Sequence, residues 1–101
     1  MEKKKGLRTC IPLSSSRRVT FQVMAKPGSE VYLAGSFNNW DPQRNRMKES
    51  RTNGKYTATL MLPEGRHEYK FIVNGNWITD PECQNNVRNA LGTLNSVMQI
   101  D

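Results

Sequence analysis

Two tryptophans stand where an indole is hard to bury. Trp40 lies within Asn38-Asn39-Trp40-Asp41-Pro42, and Trp77 follows Asn74-Gly75-Asn76. Asn, Gly and Asp-Pro are turn formers, so each indole is carried at a turn rather than at a strand centre. An indole so placed either fills the edge of a core or offers a flat platform for stacking. A sugar ring, with its apolar C–H face, suits such a platform. The residues leave both roles open. Around the tryptophans stand Asn38, Asn39, Asn74, Asn76, Asn85, Asn86, Asn89 and Asn95. Amides donate and accept, as a sugar hydroxyl requires, although Asn is equally a turn residue. Lys70 breaks the apolar run of its segment and by alternation points away from Tyr69 and Phe71, toward solvent or a ligand.

Catalytic chemistry finds little to work with. His67 is the single histidine, and alternation sets it with Tyr69 and Phe71, the setting of a core or flank histidine rather than a general base. Asp41 and Asp80 could pass for a glycosidase pair, but each directly precedes a proline in a turn. No Gly-rich phosphate loop, nucleophile elbow or metal-ligand cluster is present in the sequence. The expectation is a protein that is not an enzyme and uses no cofactor or metal.

The elements that carry these residues read as short strands. Val19, Phe21 and Val23 alternate with polar residues, and Val31–Ala34 is a short apolar run. Tyr56, Ala58, Leu60 and Leu62 form a second alternating set, and His67, Tyr69, Phe71 and Val73 a third. Asn53-Gly54 and Asn74-Gly75 are tight hairpin signals. Gln43–Lys55 reads as a polar span, Thr79–Gly92 as a long loop and Leu94–Ile100 as a closing strand. Nothing keeps a helical period. Six or so strands in 101 residues imply one all-β domain, an antiparallel β-sandwich, with a small barrel as the competitor. Residues 1–16 are expected to be a flexible leader and 17–101 the domain.

The charge of +6 is concentrated at the start of the chain. Residues 1–18 hold six basic groups against Glu2, whereas residues 19–101 hold nine basic and eight acidic groups. A basic leader attracts nucleic acid only without specificity, and the domain body is nearly neutral. No apolar stretch of about 20 residues spans a membrane, and neither a secretory h-region nor a myristoylation start is present. The cytoplasm is the expected compartment. Cys10 and Cys83 could pair but do not make a disulfide framework.

Taken in order, several segments resemble a known family. Glu30-Val31-Tyr32-Leu33-Ala34-Gly35-Ser36-Phe37-Asn38-Asn39-Trp40 is similar to the signature of the glycogen-binding domain in the β subunit of AMP-activated protein kinase. Leu62–Phe71, Val73–Trp77, Asp80-Pro81 and Leu91–Ser96 continue it. The wider group is carbohydrate-binding module family 48. The resemblance spans about residues 19–100 and implies an early-set, immunoglobulin-like β-sandwich that binds α-1,4-linked glucan, glycogen or a starch-like polymer. By motif position it implies that Trp40 and Trp77 stack on glucose rings. It assigns hydrogen bonds to sugar hydroxyls to Lys70, Thr93 and Asn95, and packing into the hollow of a curved glucan to Leu91. Gln43–Lys55 is longer and more basic than that family leads one to expect. No segment after Asp101 answers to the kinase-anchoring part of a β subunit, so the expectation is a free-standing module. The alternative is an adaptor docking on an amylolytic enzyme or a kinase complex. A nucleic-acid binder acting through the leader is the least favoured reading.

Overall fold

The computed structural model describes residues 16–51 and 53–101. Apart from Ser16, the expected leader lies outside the described residues, as does Cys10; Cys83 is a free thiol. Two antiparallel sheets face each other. The smaller runs β1 (Ser16–Met24), β5 (Lys55–Pro63), β4 (Lys48–Ser50). The larger runs β3 (Asn45–Arg46), β2 (Val31–Gly35), β6 (Gly65–Val73), β9 (Leu94–Ile100), β8 (Asn86–Arg88), with β7 (Asn76–Ile78) also paired to β6. A 3-10 turn, Ser36–Asn38, is the one helical piece among the described residues. None of the described residues forms a helix long and apolar enough to cross a membrane.

Alternation explains the long strands. Phe21 and Val23 of β1 face Ala58 and Tyr56 of β5, turning one apolar side inward. From β6, His67, Tyr69 and Phe71 are buried on the opposite wall. Phe21 meets Tyr69 edge-on with ring centroids 5.0 Å apart, and Tyr69 meets Phe71 at 5.8 Å. Burying such side chains contributes roughly 1.5–3 kcal/mol each. This aromatic column, with Val31, Leu33 and Ile100, joins the two sheets. The sandwich expected from the sequence is the architecture found.

Three strands were hidden in segments that read as loop. β3 and β4 divide the polar span Gln43–Lys55, and β8 lies within Thr79–Gly92. At two or three residues each they are too short to display a period. Met47, between β3 and β4, is buried against the core. The Asn53-Gly54 turn joins β4 to β5, where Ser50 faces Lys55. Glu49 braces that corner: its carboxylate accepts hydrogen bonds from the Gly54 N–H (2.9 Å), the Gly28 N–H (3.1 Å) and the Tyr56 hydroxyl (3.3 Å). These bonds, the Gly54 one foremost, hold its pKa below the ordinary 4.5.

Candidate functional site

Strand parity sorts the side chains before any loop is considered. With His67, Tyr69 and Phe71 turned inward, Glu68, Lys70 and Ile72 of β6 face outward from the larger sheet. Trp77 on β7 is the register partner of Ile72, so its indole lies on the same outer face. Ser96 of β9 pairs with the inward Tyr69, which turns the preceding Asn95 outward beside Lys70. All six residues singled out in the sequence, Trp40, Lys70, Trp77, Leu91, Thr93 and Asn95, line one open groove of about 520 Å³. Asn89 and Ala90 complete it.

The two indoles are held differently. Trp77 is part of the β6–β7 ladder and is 45% exposed. Trp40 hangs on the turn that leaves β2, where Asn39 and Trp40 both have left-handed backbone, each with φ of 58°. L-residues seldom adopt that conformation, so the turn must be secured from elsewhere. Asn38 secures it. Its Oδ1 accepts the Gly35 N–H at 3.0 Å, and its Nδ2 donates to the Leu33 carbonyl (3.1 Å) and to Asn45 Oδ1 (2.7 Å). The Trp40 N–H donates back to the Gly35 carbonyl at 2.9 Å. Gly35 itself permits close packing, since a Cβ there would fall 2.5 Å from the Glu68 carbonyl oxygen and 2.6 Å from the Phe37 ring. Neither tryptophan belongs to the buried core cluster; Trp77 is exposed and Trp40 half-buried.

The opposite rim is the loop from Asn89 to Thr93, and a residue not singled out for the site organises it. Asn89 Oδ1 accepts the N–H groups of Leu91 (2.9 Å) and Thr93 (3.1 Å). Asn89 Nδ2 donates to Thr93 Oγ1 (2.7 Å) and Asn95 Oδ1 (3.1 Å). Lys70 Nζ also donates to Thr93 Oγ1, at 3.1 Å. Both contacts use the hydroxyl oxygen as acceptor, so its proton remains available as a donor. Asn95 is only 5% exposed, more enclosed than a surface ligand residue was expected to be. Its Nδ2 donates to Glu68 Oε1 at 3.0 Å, and Glu68 in turn lies 3.7 Å from Arg66. Leu91 is 88% exposed at the tip. The signal for Asn89 was local: an Asn whose side chain can bond backbone two residues on makes an Asx turn.

Asn74 is structural. Its Oδ1 accepts the Glu30 N–H and its Nδ2 donates to Ser29 Oγ, fixing the β6–β7 turn against the segment that leads into β2. The carboxylates near prolines are turn elements, as expected. Asp41 accepts the Gln43 N–H, and Asp80 accepts the Glu82 N–H and the Tyr69 hydroxyl at 2.7 Å. Burial and then the Asp80 contact push the Tyr69 phenol above its ordinary 10. His67 Nε2 lies 2.9 Å from the Pro63 carbonyl oxygen, on the inner face and away from the groove. Among the described residues no group of three or more His, Cys, Asp or Glu could hold a metal. The groove thus offers aromatic faces, an apolar tip and neutral or cationic donors.

Residues 17–101 match a family model described as the glycogen recognition site of AMP-activated protein kinase. The chain is 47% identical over 73 residues to 5'-AMP-activated protein kinase subunit beta-1 of Bos taurus, covering 72% of this chain and 25% of that protein. With subunit beta-1 of Sus scrofa it shares 45% over 73 residues, 72% of this chain and 56% of that protein. With subunit beta-2 of Homo sapiens it shares 35% over 94 residues, 93% of this chain and 33% of that protein. The matches span between 25% and 56% of the length of these relatives.

Proposed function

Because the chain belongs to the family of the glycogen recognition site of AMP-activated protein kinase, we propose that it is a non-catalytic module whose groove binds α-1,4-glucan. The observation that carries this reading is the single groove shared by Trp40, Lys70, Trp77, Leu91, Thr93 and Asn95. Trp40 and Trp77 stack on the C–H faces of glucose rings. Lys70 and the hydroxyl proton of Thr93 bond sugar hydroxyls, and Asn95 presents what its amide has left after Asn89 and Glu68. Leu91, exposed in water, enters the hollow of the curved chain, where its cover contributes up to about 1.5–3 kcal/mol. Glucan is uncharged, which suits a domain body of low net charge.

Two stacked rings and a few exposed hydrogen bonds of ~0.5–1.5 kcal/mol each, less ordering costs, give roughly millimolar to ten-micromolar affinity per site. The many chain ends of glycogen raise that through multivalency. Affinity electrophoresis in gels containing glycogen tests the reading: retarded migration is expected, and unretarded migration of the folded protein would refute it. A second reading, attachment to a kinase complex, rests on the relatives being named as kinase subunits. Of the two docking partners expected, the kinase complex is the one these names favour. Pull-down with and without soluble glucan separates docking from binding.

A further inference from the structure

On the outer face, next to the groove, four residues in register form a row across four strands. Trp77 of β7 pairs with Ile72 of β6, Ile72 with Tyr32 of β2, and Tyr32 with Arg46 of β3. Ile72 is only 5% exposed, so an apolar floor runs between Trp77 and Tyr32. Strands lie roughly 4.8 Å apart, which sets the Arg46 backbone about 14 Å from that of Trp77. The Arg46 guanidinium carbon is 5.9 Å from the centroid of the Tyr32 ring. No carboxylate among the described residues forms an ion pair with Arg46. Stacking on Tyr32 narrows the positions open to the guanidinium and leaves its N–H edges for a ligand.

A neutral polymer has no need of that cation. The basic excess of Gln43–Lys55 is therefore unaccounted for by neutral glucan, and the fold separates its members. Lys48 and Lys55 belong to the other sheet, while Arg46 shares the face of the groove. A planar guanidinium fork matches the oxygens of a phosphate in a way that a single sugar hydroxyl cannot. We propose that Tyr32 and Arg46 form an outer subsite that reads a phosphate monoester carried on the glucan chain, a few sugars along from the ring stacked on Trp77. This inference rests on the glucan-binding reading and adds the chemical class of the polymer.

The test compares a phosphorylated amylopectin with the same polymer after phosphatase treatment, using wild type, Arg46→Gln and Arg46→Lys. Wild type should bind the phosphorylated polymer roughly three- to ten-fold more tightly, the range of an exposed but bidentate charged pair. That gain should vanish in Arg46→Gln, shrink in Arg46→Lys and fade near ~0.5 M salt, where the screening length is only a few ångströms. All three proteins should bind the dephosphorylated polymer alike. Equal binding of the two polymers by wild type, or an equal loss on both in Arg46→Gln, overturns the subsite. Inorganic phosphate is the third arm: binding of it alone, with Arg46 dependence and no glucan, would overturn a glucan-borne ligand. Failure of wild type to bind either polymer would instead bring down the glucan reading and this inference with it.

Discussion

Replacing Asn89 by Ala removes the side chain that holds the groove's loop without removing a residue assigned to the ligand. Four hydrogen bonds are lost: two accepted from the Leu91 and Thr93 N–H groups, two donated to Thr93 Oγ1 and Asn95 Oδ1. The first three have exposed partners that water can serve, at ~0.5 kcal/mol each. The fourth leaves the amide oxygen of the buried Asn95 without its donor, at about 1–2 kcal/mol. A stability loss of about 2.5–3.5 kcal/mol follows, within what a small domain can survive. Binding suffers for another reason. Leu91 and Thr93 would have to be ordered by the ligand, and fixing one residue's backbone costs about 1–2 kcal/mol. If one such cost falls on binding, affinity drops roughly five- to thirty-fold. Calorimetric titration with a linear maltooligosaccharide reads the affinity, and a thermal melt reads the stability. Asn89→Asp, which keeps the acceptor and loses the donors, should fall between. A folded Asn89→Ala protein with unchanged affinity would refute the idea that this loop is pre-shaped by Asn89.

Three other outcomes are expected. Trp77→Ala and Trp40→Ala should each cost ~1–3 kcal/mol of glucan affinity, by analogy with base stacking on aromatics, with little change in melting temperature; a large thermal loss with intact binding would contradict this. Gly35→Ala drives a Cβ onto the Glu68 carbonyl and the Phe37 ring, so destabilisation near the upper end of ~1–3 kcal/mol is expected from a thermal melt, and an unshifted melt would remove the argument. Glu49 has a folded pKa below its ordinary 4.5, so its stabilisation is present above that value and is lost as pH falls through the folded one. Melting temperature against pH should therefore decline on the acid side in wild type and decline less in Glu49→Gln.

The long strands were legible because alternation over nine residues in β1, β5 and β6 leaves one solution for which side is buried. The outward set of Lys70, Trp77 and Asn95 follows from that parity once the register is known. What could not be read was the work of individual amides. Asn38, Asn74, Asn89 and Asn95 look alike in the sequence, yet the first two brace turns, the third shapes a loop and the fourth is enclosed beneath it. An amide's role depends on which groups come within about 3 Å, and for Asn74 and Asn95 these include groups distant in sequence. Asn95 and Glu68 are 27 residues apart. Met47 was unreadable for a related reason: a lone apolar residue in a polar run has no period to announce its burial.

The left-handed backbone at Trp40 sets two demands on one position against each other. Such a conformation costs an L-residue roughly 1–2 kcal/mol, and glycine alone adopts it at no steric cost. At this position the amino acid that best suits the main chain is therefore the one that has no ring to offer a ligand. Variants selected only for heat resistance should drift toward glycine here and lose their grip on polysaccharide as they do so. Those selected for grip should keep the indole and tolerate the tension. Position 40 is thus a place where a library sorted by folding and a library sorted by capture would diverge, and the divergence would show which of the two the natural chain serves.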